Sequence, residues 1–230
     1  MQLSENKIIE LQDVTMQWDN RTALRNVNLT VDKGNFIAIT GPNGGGKTTL
    51  LRIILRLLKP TLGKVTYYDG IAEVKELNIG YLPQKNMIDH RFPITVAEVI
   101  SMGLLSLSDL SKAEKQCKIA EMVKRMGLES HIDSPIGELS GGQLQRTLLG
   151  RAIISEPEIL ILDEPLSYVD KRFESRIYDI VEELSENTTI LLVSHELSRI
   201  ADMADRHLII DQDLYECKAS HHFIPIKCDE

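Results

Sequence analysis

The residues Gly41-Pro42-Asn43-Gly44-Gly45-Gly46-Lys47-Thr48-Thr49 have the types and spacing of a loop that binds a nucleotide triphosphate. Glycines let the backbone approach a polyphosphate closely, and successive N–H groups line the concavity. Lys47 adds a full positive charge, and Thr48 offers a hydroxyl to a Mg²⁺ ion that bridges the phosphates. A glycine-rich turn with a surface lysine is the alternative. The pattern GxxxxGK[ST] between an apolar run and a helical one favours nucleotide binding.

Two carboxylates, Asp163 and Glu164, follow the wholly apolar run 159–162. Such a run is typical of a central parallel strand, and ligands bind at the carboxyl ends of these strands. We predict that Asp163 holds Mg²⁺, through water, beside Thr48. Glu164 is predicted to orient or deprotonate the water that attacks the γ-phosphate. Solvated acids at a strand end are the alternative, which the nearby phosphate loop disfavours.

Trp18 and His195 are weaker candidates when they are considered alone. Trp18 is the only tryptophan, and it is either an amphipathic residue at a strand end or a platform on which adenine stacks. His195 follows the apolar run 190–193 and is either a helix-capping residue or a group at the same sheet edge. The segment 195–199 lacks the second histidine of a HExxH motif, which excludes that type of zinc site.

Ser140-Gly141-Gly142-Gln143 has the spacing of a capping box, with two glycines in the first turn of the helix it opens. Glycine weakens a helix, so these residues need another purpose. Close approach of the helix start to an anion supplies one.

The remaining pattern predicts an α/β fold with a mainly parallel central sheet. Residues 8–18 and 27–31 alternate and predict antiparallel strands, and a helix from Lys47 is expected to stop before Pro60. Residues 64–82 predict short strands, and about 85–155 predict a helical subdomain. Within it, Ser111 and Glu114 have the spacing of a capping box that opens a helix. The tail 211–230 is mixed and receives no assignment.

Bulk properties limit the function classes. A chain of 230 residues suits a single domain, 1–230, and its net charge of −8 disfavours a nucleic-acid partner. Apolar runs are too short to span a bilayer, and the first seven residues do not resemble a signal peptide. Cys117, Cys217 and Cys228 have no framework spacing, which fits a reducing cytoplasm.

Taken together, these motifs resemble those of the ATP-binding-cassette (ABC) ATPases. Leu139 and the four residues after it, LSGGQ, match the signature of that family, between a Walker A loop and a Walker B strand. The resemblance covers about residues 8–210 and implies a P-loop NTPase fold with a RecA-like core, an antiparallel β subdomain and a helical subdomain. It also implies the cofactors ATP and Mg²⁺. The resemblance assigns roles to five residues. Trp18 stacks on adenine, and Gln84 reaches Mg²⁺ and senses the transporter. Glu164 is the catalytic base, Asp170 is the D-loop aspartate and His195 is the switch histidine.

The resemblance further implies an assembly. In a head-to-tail homodimer, Ser140 to Gln143 of one subunit contact the γ-phosphate that the other subunit binds. ATP then joins the two subunits, and hydrolysis releases them. Integral-membrane permease subunits are implied as partners, which places the chain in the cytoplasm, peripheral on the inner face of the membrane.

The segment that meets the permease indicates a branch of the family. Residues 79–85, followed by Asp89, 92–96 and Met102-Gly103, resemble the zinc- and manganese-uptake branch of bacterial importers. That resemblance implies an extracytoplasmic metal-binding protein in the full system. Tyr168 is bulky where the branch usually has a small residue, and Gly45 replaces the more usual serine of the phosphate loop.

Other functions remain as alternatives. Import of a ferric-siderophore or cobalamin complex is the second substrate class, since the cassette does not touch the cargo. Non-transport ABC ATPases are disfavoured, because the chain has neither long heptad segments nor a second cassette. A P-loop kinase would not need the signature, and GTPase base-reading motifs are absent.

The tail contains four potential Zn²⁺ ligands: Cys217, His221, His222 and Cys228. Their spacing matches no closed structural site. A polar tail is therefore the favoured interpretation, and metal sensing is the alternative.

Overall fold

A computed structural model of the protein describes residues 6–19, 21–84, 93–107, 109–166, 171–194 and 200–217. The strands are β1 Lys7–Trp18, β2 Arg21–Asp32, β3 Phe36–Thr40, β4 Leu62–Asp69, β5 Ala72–Val74, β6 Ile79–Leu82, β7 Ile159–Asp163, β8 Thr189–Val193, β9 Arg206–Asp211 and β10 Asp213–Cys217. The helices are α1 Lys47–Ile54, α2 Val96–Ser101, α3 Lys112–Arg125, α4 Gly141–Ile153, α5 Lys171–Ser185 and α6 Ile200–Met203. Short 3-10 turns occupy Met102–Leu104, Glu129–His131 and Ile136–Glu138.

The central sheet has six strands in the order β10-β9-β3-β8-β7-β6. All neighbouring pairs in it are parallel except β10 with β9. The carboxyl ends of β3, β6, β7 and β8 therefore meet at one edge, where an open α/β sheet binds its ligands. The predicted α/β fold with a mainly parallel sheet is confirmed.

A second sheet is antiparallel and has the strand order β2-β1-β4-β5. Its longest pairing joins β1 to β2, from Lys7 opposite Asp32 to Trp18 opposite Arg21. The predicted antiparallel strands are thus present, but β2 begins at Arg21, six residues before the strict alternation that starts at Val27. This early start brings the hairpin corner of Trp18 and Arg21 toward the phosphate loop.

Alternating residues of the central strands face two different cores, which explains why their sequences are continuously apolar. Leu160 and Leu162 of β7 pack with the helices α2 to α5, whereas Ile159 and Ile161 pack with α1 and the antiparallel sheet. Every residue of β7 and β8 is buried. A single charged side chain in that setting, Asp163, is consequently rigidly placed.

Three helices of the central part begin with a complete capping box, as the sequence predicts for two of them. Ser111 and Glu114 form the box of α3, and Ser140 and Gln143 form that of α4. The third box, Thr95 with Glu98, opens α2. The first eight residues of the predicted helical subdomain, 85–92, lie outside the described residues.

The helix after the phosphate loop is shorter than its apolar run suggests. It ends at Ile54, because Arg56 adopts a left-handed conformation with φ 55° and the Leu57 N–H bonds back to the Arg52 carbonyl. The Arg56 guanidinium donates to the carbonyls of Val65 in β4 and of Lys75, directly after β5, and stacks over the Tyr67 ring. These tertiary contacts replace the glycine that usually marks such a helix end.

Part of the unassigned tail is ordered, since β10 pairs with β9 through Cys217. Over the described stretches of chain, no helix combines the length and apolarity that a membrane crossing requires.

Candidate nucleotide-binding site

The loop between β3 and α1 is closed around the side chain of Lys47. Its ammonium group is buried and donates to the carbonyl oxygens of Gly41 and Pro42, at 2.8 and 2.9 Å. Burial lowers the pKa of Lys47, and the negative charges of Glu164 and Asp163 oppose that shift. A cation held this way at the start of a helix is well placed to meet a phosphate.

Two glycines of the loop are required by space as well as by backbone conformation. A Cβ on Gly41 would lie 2.0 Å from the carbonyl oxygen of Ile210, and one on Gly46 would lie 2.4 Å from that of Ala23. Their φ angles of 138° and 108° also disfavour any side chain. The loop is therefore pressed against β9 on one side and β2 on the other.

Thr48 and Asp163 form the candidate Mg²⁺ site. The Thr48 hydroxyl donates to Oδ2 of Asp163 at 3.0 Å, while Oδ1 is buried without a hydrogen-bond partner among the described residues. Burial raises the pKa of Asp163, although the Thr48 hydrogen bond acts in the opposite direction. A buried carboxylate oxygen that lacks a donor beside a hydroxyl is a donor set that fits a hard cation.

Glu164 and Gln84 meet at the same sheet edge. The Gln84 carboxamide donates from Nε2 to Oε2 of Glu164 at 3.1 Å, joining the ends of β6 and β7. The Glu164 backbone N–H bonds to the carbonyl of Val193, at the end of β8. With φ 55°, Glu164 has a sparsely populated backbone conformation, of the kind that is often found at functional sites.

A cleft of about 380 Å³ connects these groups to the β1–β2 hairpin. Trp18 lies at its rim and is 46% exposed. The cleft is lined by Trp18, Arg21, Ala23, Asn43, Gly44, Gly46, Lys47, Thr48, Thr49, Gln84 and Glu164. The structure thus brings together the predicted adenine platform, the phosphate loop, Gln84 and Glu164. Gly41, Pro42 and Gly45 support the loop without lining the cleft.

Sequence reasoning missed Arg21 and Ala23. The Arg21 guanidinium lies 3.2 Å from the position of a Cβ on Gly44, and Arg21 is the strand partner of Trp18. Ala23 contributes the carbonyl that restricts Gly46. Arg21 could have been identified from its pairing with Trp18 in the β1–β2 hairpin. That pairing is evident only once β2 is known to begin at Arg21.

The signature residues Ser140 to Gln143 do not line this cleft. They form the start of α4, where Ser140 accepts from the Gln143 N–H at 3.3 Å and Gln143 accepts from the Ser140 N–H at 2.8 Å. Two residues after Gln143, the buried Gln145 donates to the carbonyl of Pro165 at 3.1 Å. The signature helix is therefore tied to the loop directly after Glu164, although its own N-terminus lies apart from the cleft.

Several predicted residues lie outside the described part of the chain: Asp170, His195, His221, His222 and Cys228. Cys217 is described and is exposed at the end of β10. Among the residues with described positions, no group of three or more His, Cys, Asp or Glu side chains is arranged to hold a metal ion.

Comparison with known proteins gives consistent similarities. The family model described as ABC transporter matches residues 24–167. The zinc import ATP-binding protein ZnuC of Mannheimia succiniciproducens is 38% identical over 95% of this chain and 78% of its own length. The zinc uptake system ATP-binding protein ZurA of Listeria innocua is 36% identical over 95% of this chain and 88% of its own. A dimeric bacterial ABC transporter cassette superposes with a TM-score of 0.82 at 28% identity, covering 94% of this chain and all of the other.

Proposed function

The chain belongs to the ABC transporter family, and from that premise we propose that it is the ATP-hydrolysing subunit of an importer for a divalent metal ion, zinc or manganese. The observation that carries the ATPase part is the convergence of Thr48, Asp163, Gln84 and Glu164 at one sheet edge beside the phosphate loop. The metal part is supported by the similarity to zinc import and uptake ATP-binding proteins.

Each step of hydrolysis has a group in this chain to perform it. Trp18 stacks on the adenine, and the loop with Lys47 binds the phosphates. Thr48, Asp163 and Gln84 would hold Mg²⁺, which when bound neutralises charge on the β- and γ-phosphates. Glu164 accepts the proton of the attacking water.

Gln84 and His195 have supporting roles in this scheme. The hydrogen bond from Gln84 orients the Glu164 carboxylate, so a shift of the chain at Gln84 would reach the catalytic base directly. His195 follows β8, and its role in the proposal is to contact the γ-phosphate at the same sheet edge.

A head-to-tail homodimer completes the proposed site. Ser140 to Gln143 lie apart from the cleft of their own chain, so in this arrangement they serve the ATP of the other subunit. Asp170 contributes to the contact between the two chains. The close match to a cassette solved as a dimer supports the arrangement. Closure on ATP and opening after hydrolysis then supply two states that can drive a pump.

The partners in this proposal are integral-membrane permease subunits and an extracytoplasmic metal-binding protein. The chain would sit in the cytoplasm, attached to the inner face of the membrane through the permease. Energy from ATP-driven closure reaches the metal ion only through the permease, so metal specificity lies with those partners.

Growth under metal limitation tests the substrate. A strain that lacks this chain should grow poorly when zinc or manganese is chelated, and recover with the wild-type chain but not with Glu164→Gln. Added zinc or manganese should also restore growth. Recovery with a ferric siderophore or cobalamin, but with neither metal, would assign the transporter to the other substrate class.

ATP-dependent assembly tests the sandwich. Glu164→Gln protein with Mg²⁺ and ATP should elute as a dimer in size-exclusion chromatography, and as a monomer with ADP. A Glu164→Gln protein that binds ATP yet stays monomeric at saturation would contradict the homodimer.

A further inference from the structure

The side chain of Gln143 in the signature makes two hydrogen bonds that fix it at both ends. Its Oε1 accepts from the backbone N–H of Ser140 at 2.8 Å. Its Nε2 lies 2.9 Å from Nε2 of His131, which ends the 3-10 turn Glu129–His131. On the other side of the ring, His131 Nδ1 lies 2.9 Å from the Ser130 hydroxyl.

The protons in this chain of contacts follow from the chemistry of the groups. A backbone N–H can only donate, so the atom of Gln143 that faces Ser140 is the carbonyl oxygen. The amide nitrogen therefore faces His131 and donates, and Nε2 of the ring must accept. With Nε2 accepting, the ring hydrogen lies on Nδ1, which donates to the Ser130 hydroxyl.

The backbone of His131 is held by two hydrogen bonds, one through its N–H and one through its carbonyl. The His131 N–H donates to the carbonyl of Leu128, a fully buried residue, and the His131 carbonyl accepts from the Ser134 N–H, each at 2.9 Å. The imidazole is thus a fixed support for Gln143, anchored outside the signature helix itself.

The two other capping boxes show what is special about this one. In α2 and α3 the third helical residue is a glutamate, and hydrogen bonds from Thr95 and Ser111 lower the pKa of Glu98 and Glu114. At α4 the same position is a neutral glutamine. A helix start that meets an anion gains from a neutral cap, because a carboxylate there would repel the phosphate. The neutral amide also has a nitrogen that a second group can hold.

We propose that His131 is a positioning residue for the signature: by accepting from Gln143 it fixes the start of α4 before the ATP of the partner subunit arrives. This proposal rests on the proposed ATP-sandwich homodimer. A helix start that is already ordered loses less conformational freedom on closure, so ATP binds and closes the dimer at lower concentration.

Paired variants at position 131 test the role. His131→Leu removes the acceptor and keeps the bulk, whereas His131→Gln offers an oxygen near the position of Nε2. We expect His131→Leu to raise the ATP concentration for half-maximal hydrolysis about five-fold, the effect of one ordinary hydrogen bond, with kcat almost unchanged. His131→Gln should restore a value within about two-fold of wild type.

A capping variant at the start of α3, the end opposite to the turn that carries His131, is the matched control. Glu114→Leu removes the box of α3 and should lower the melting temperature without changing the ATP dependence. If His131→Leu behaves like Glu114→Leu, with a lower melting temperature and an unchanged half-saturating ATP concentration, the role is only structural and the proposal is wrong.

If His131→Leu does not fold, Ser130→Ala, which removes the support for Nδ1, must show the ATP shift in the same direction. An unchanged ATP dependence in Ser130→Ala would then overturn the proposal.

ATP-dependent dimerisation distinguishes a failure of the His131 proposal from a failure of the proposed ATP-sandwich homodimer. In the Glu164→Gln background, His131→Leu should need about five-fold more ATP to form the dimer than His131→Gln does. If Glu164→Gln with the native His131 does not dimerise, the sandwich itself fails. If it dimerises and both His131 variants match it, the sandwich stands and His131 has no positioning role.

Discussion

The carboxamide of Gln84 donates from Nε2 to Oε2 of Glu164 across 3.1 Å, so a side chain at the end of one strand orients the candidate base at the end of its neighbour. Gln84 belongs to the segment whose sequence resembles the permease-facing part of metal importers. In the proposed transporter, this hydrogen bond would be a short path from the permease to the candidate base.

Glu164→Gln should separate binding from hydrolysis. A carboxamide at position 164 still offers an oxygen to Gln84, so the site keeps its shape, but it cannot accept a proton from water. We expect phosphate release to fall by about a hundred-fold or more while ATP affinity is retained. Steady-state phosphate release and a nucleotide-binding titration measure the two quantities. Equal losses of both would show that Glu164 acts in binding.

Asp163→Asn should stabilise the protein in the absence of nucleotide and Mg²⁺. Burial raises the pKa of Asp163 in the folded state, so the folded protein binds this proton more tightly than the unfolded chain. Stability is then lost as the pH rises from the ordinary aspartate range through the raised pKa. At neutral pH the variant should gain about 2–4 °C in melting temperature, the shift that 1 kcal/mol produces in a chain of this size.

Two further measurements test whether the gain in melting temperature comes from removing the buried charge of Asp163. The gain of Asp163→Asn should shrink as the pH is lowered toward the ordinary pKa of aspartate, where both proteins are neutral at this position. Mg²⁺ with ATP should stabilise the wild type more than the variant. A gain in melting temperature that does not change with pH would show that it arises from packing and not from the charge of Asp163.

Gly41→Ala should disrupt the phosphate loop. The new Cβ would lie 2.0 Å from the Ile210 carbonyl oxygen, a clash with the backbone of β9 that no side-chain rotation can relieve. We expect ATP binding to be lost and the melting temperature to fall. Gly34→Ala is the control, because Gly34 also has a positive φ but has open space around its Cβ position, so its cost should be about 1 kcal/mol with ATP binding intact. Similar losses in both variants would contradict the steric explanation.

Trp18 should report on adenine binding. It is the only tryptophan in the chain, so intrinsic fluorescence monitors this side chain alone. We expect ATP to change the emission, and Trp18→Ala to weaken ATP affinity about ten-fold by removing a stacked ring. Trp18→Phe should recover most of the affinity. If alanine and phenylalanine bind ATP equally well, the ring at the cleft rim does not stack on the base.

Much of the fold follows from local sequence patterns. The apolar runs before Thr40, Asp163 and Ser194 predict buried parallel strands, and all three are present. The capping boxes at Ser111 and Ser140 also predict helix starts correctly. These features depend on nearest neighbours along the chain, so their residues carry the information by themselves.

The ends of elements were harder to predict. Helix α1 stops at Ile54 because Arg56 reaches the carbonyls of Val65 and Lys75 and the Tyr67 ring. Strand β2 starts early, at Arg21, opposite Trp18. The residues next to these two boundaries do not mark them. The end of α1 depends on contacts with residues distant along the chain, and the start of β2 depends on its pairing with β1.

The types and spacing of residues alone identified the phosphate loop, the two carboxylates and the capped signature, because each is a short motif whose chemistry is contained in its own residues. Which of these groups meet was decided by the tertiary structure. The parallel register brings Gln84 to Glu164, the close approach of β9 leaves room only for glycine at position 41, and the turn after α3 places His131 against Gln143. Contacts of this kind depend on distances between strands and helices, and those distances are set only when the whole core packs.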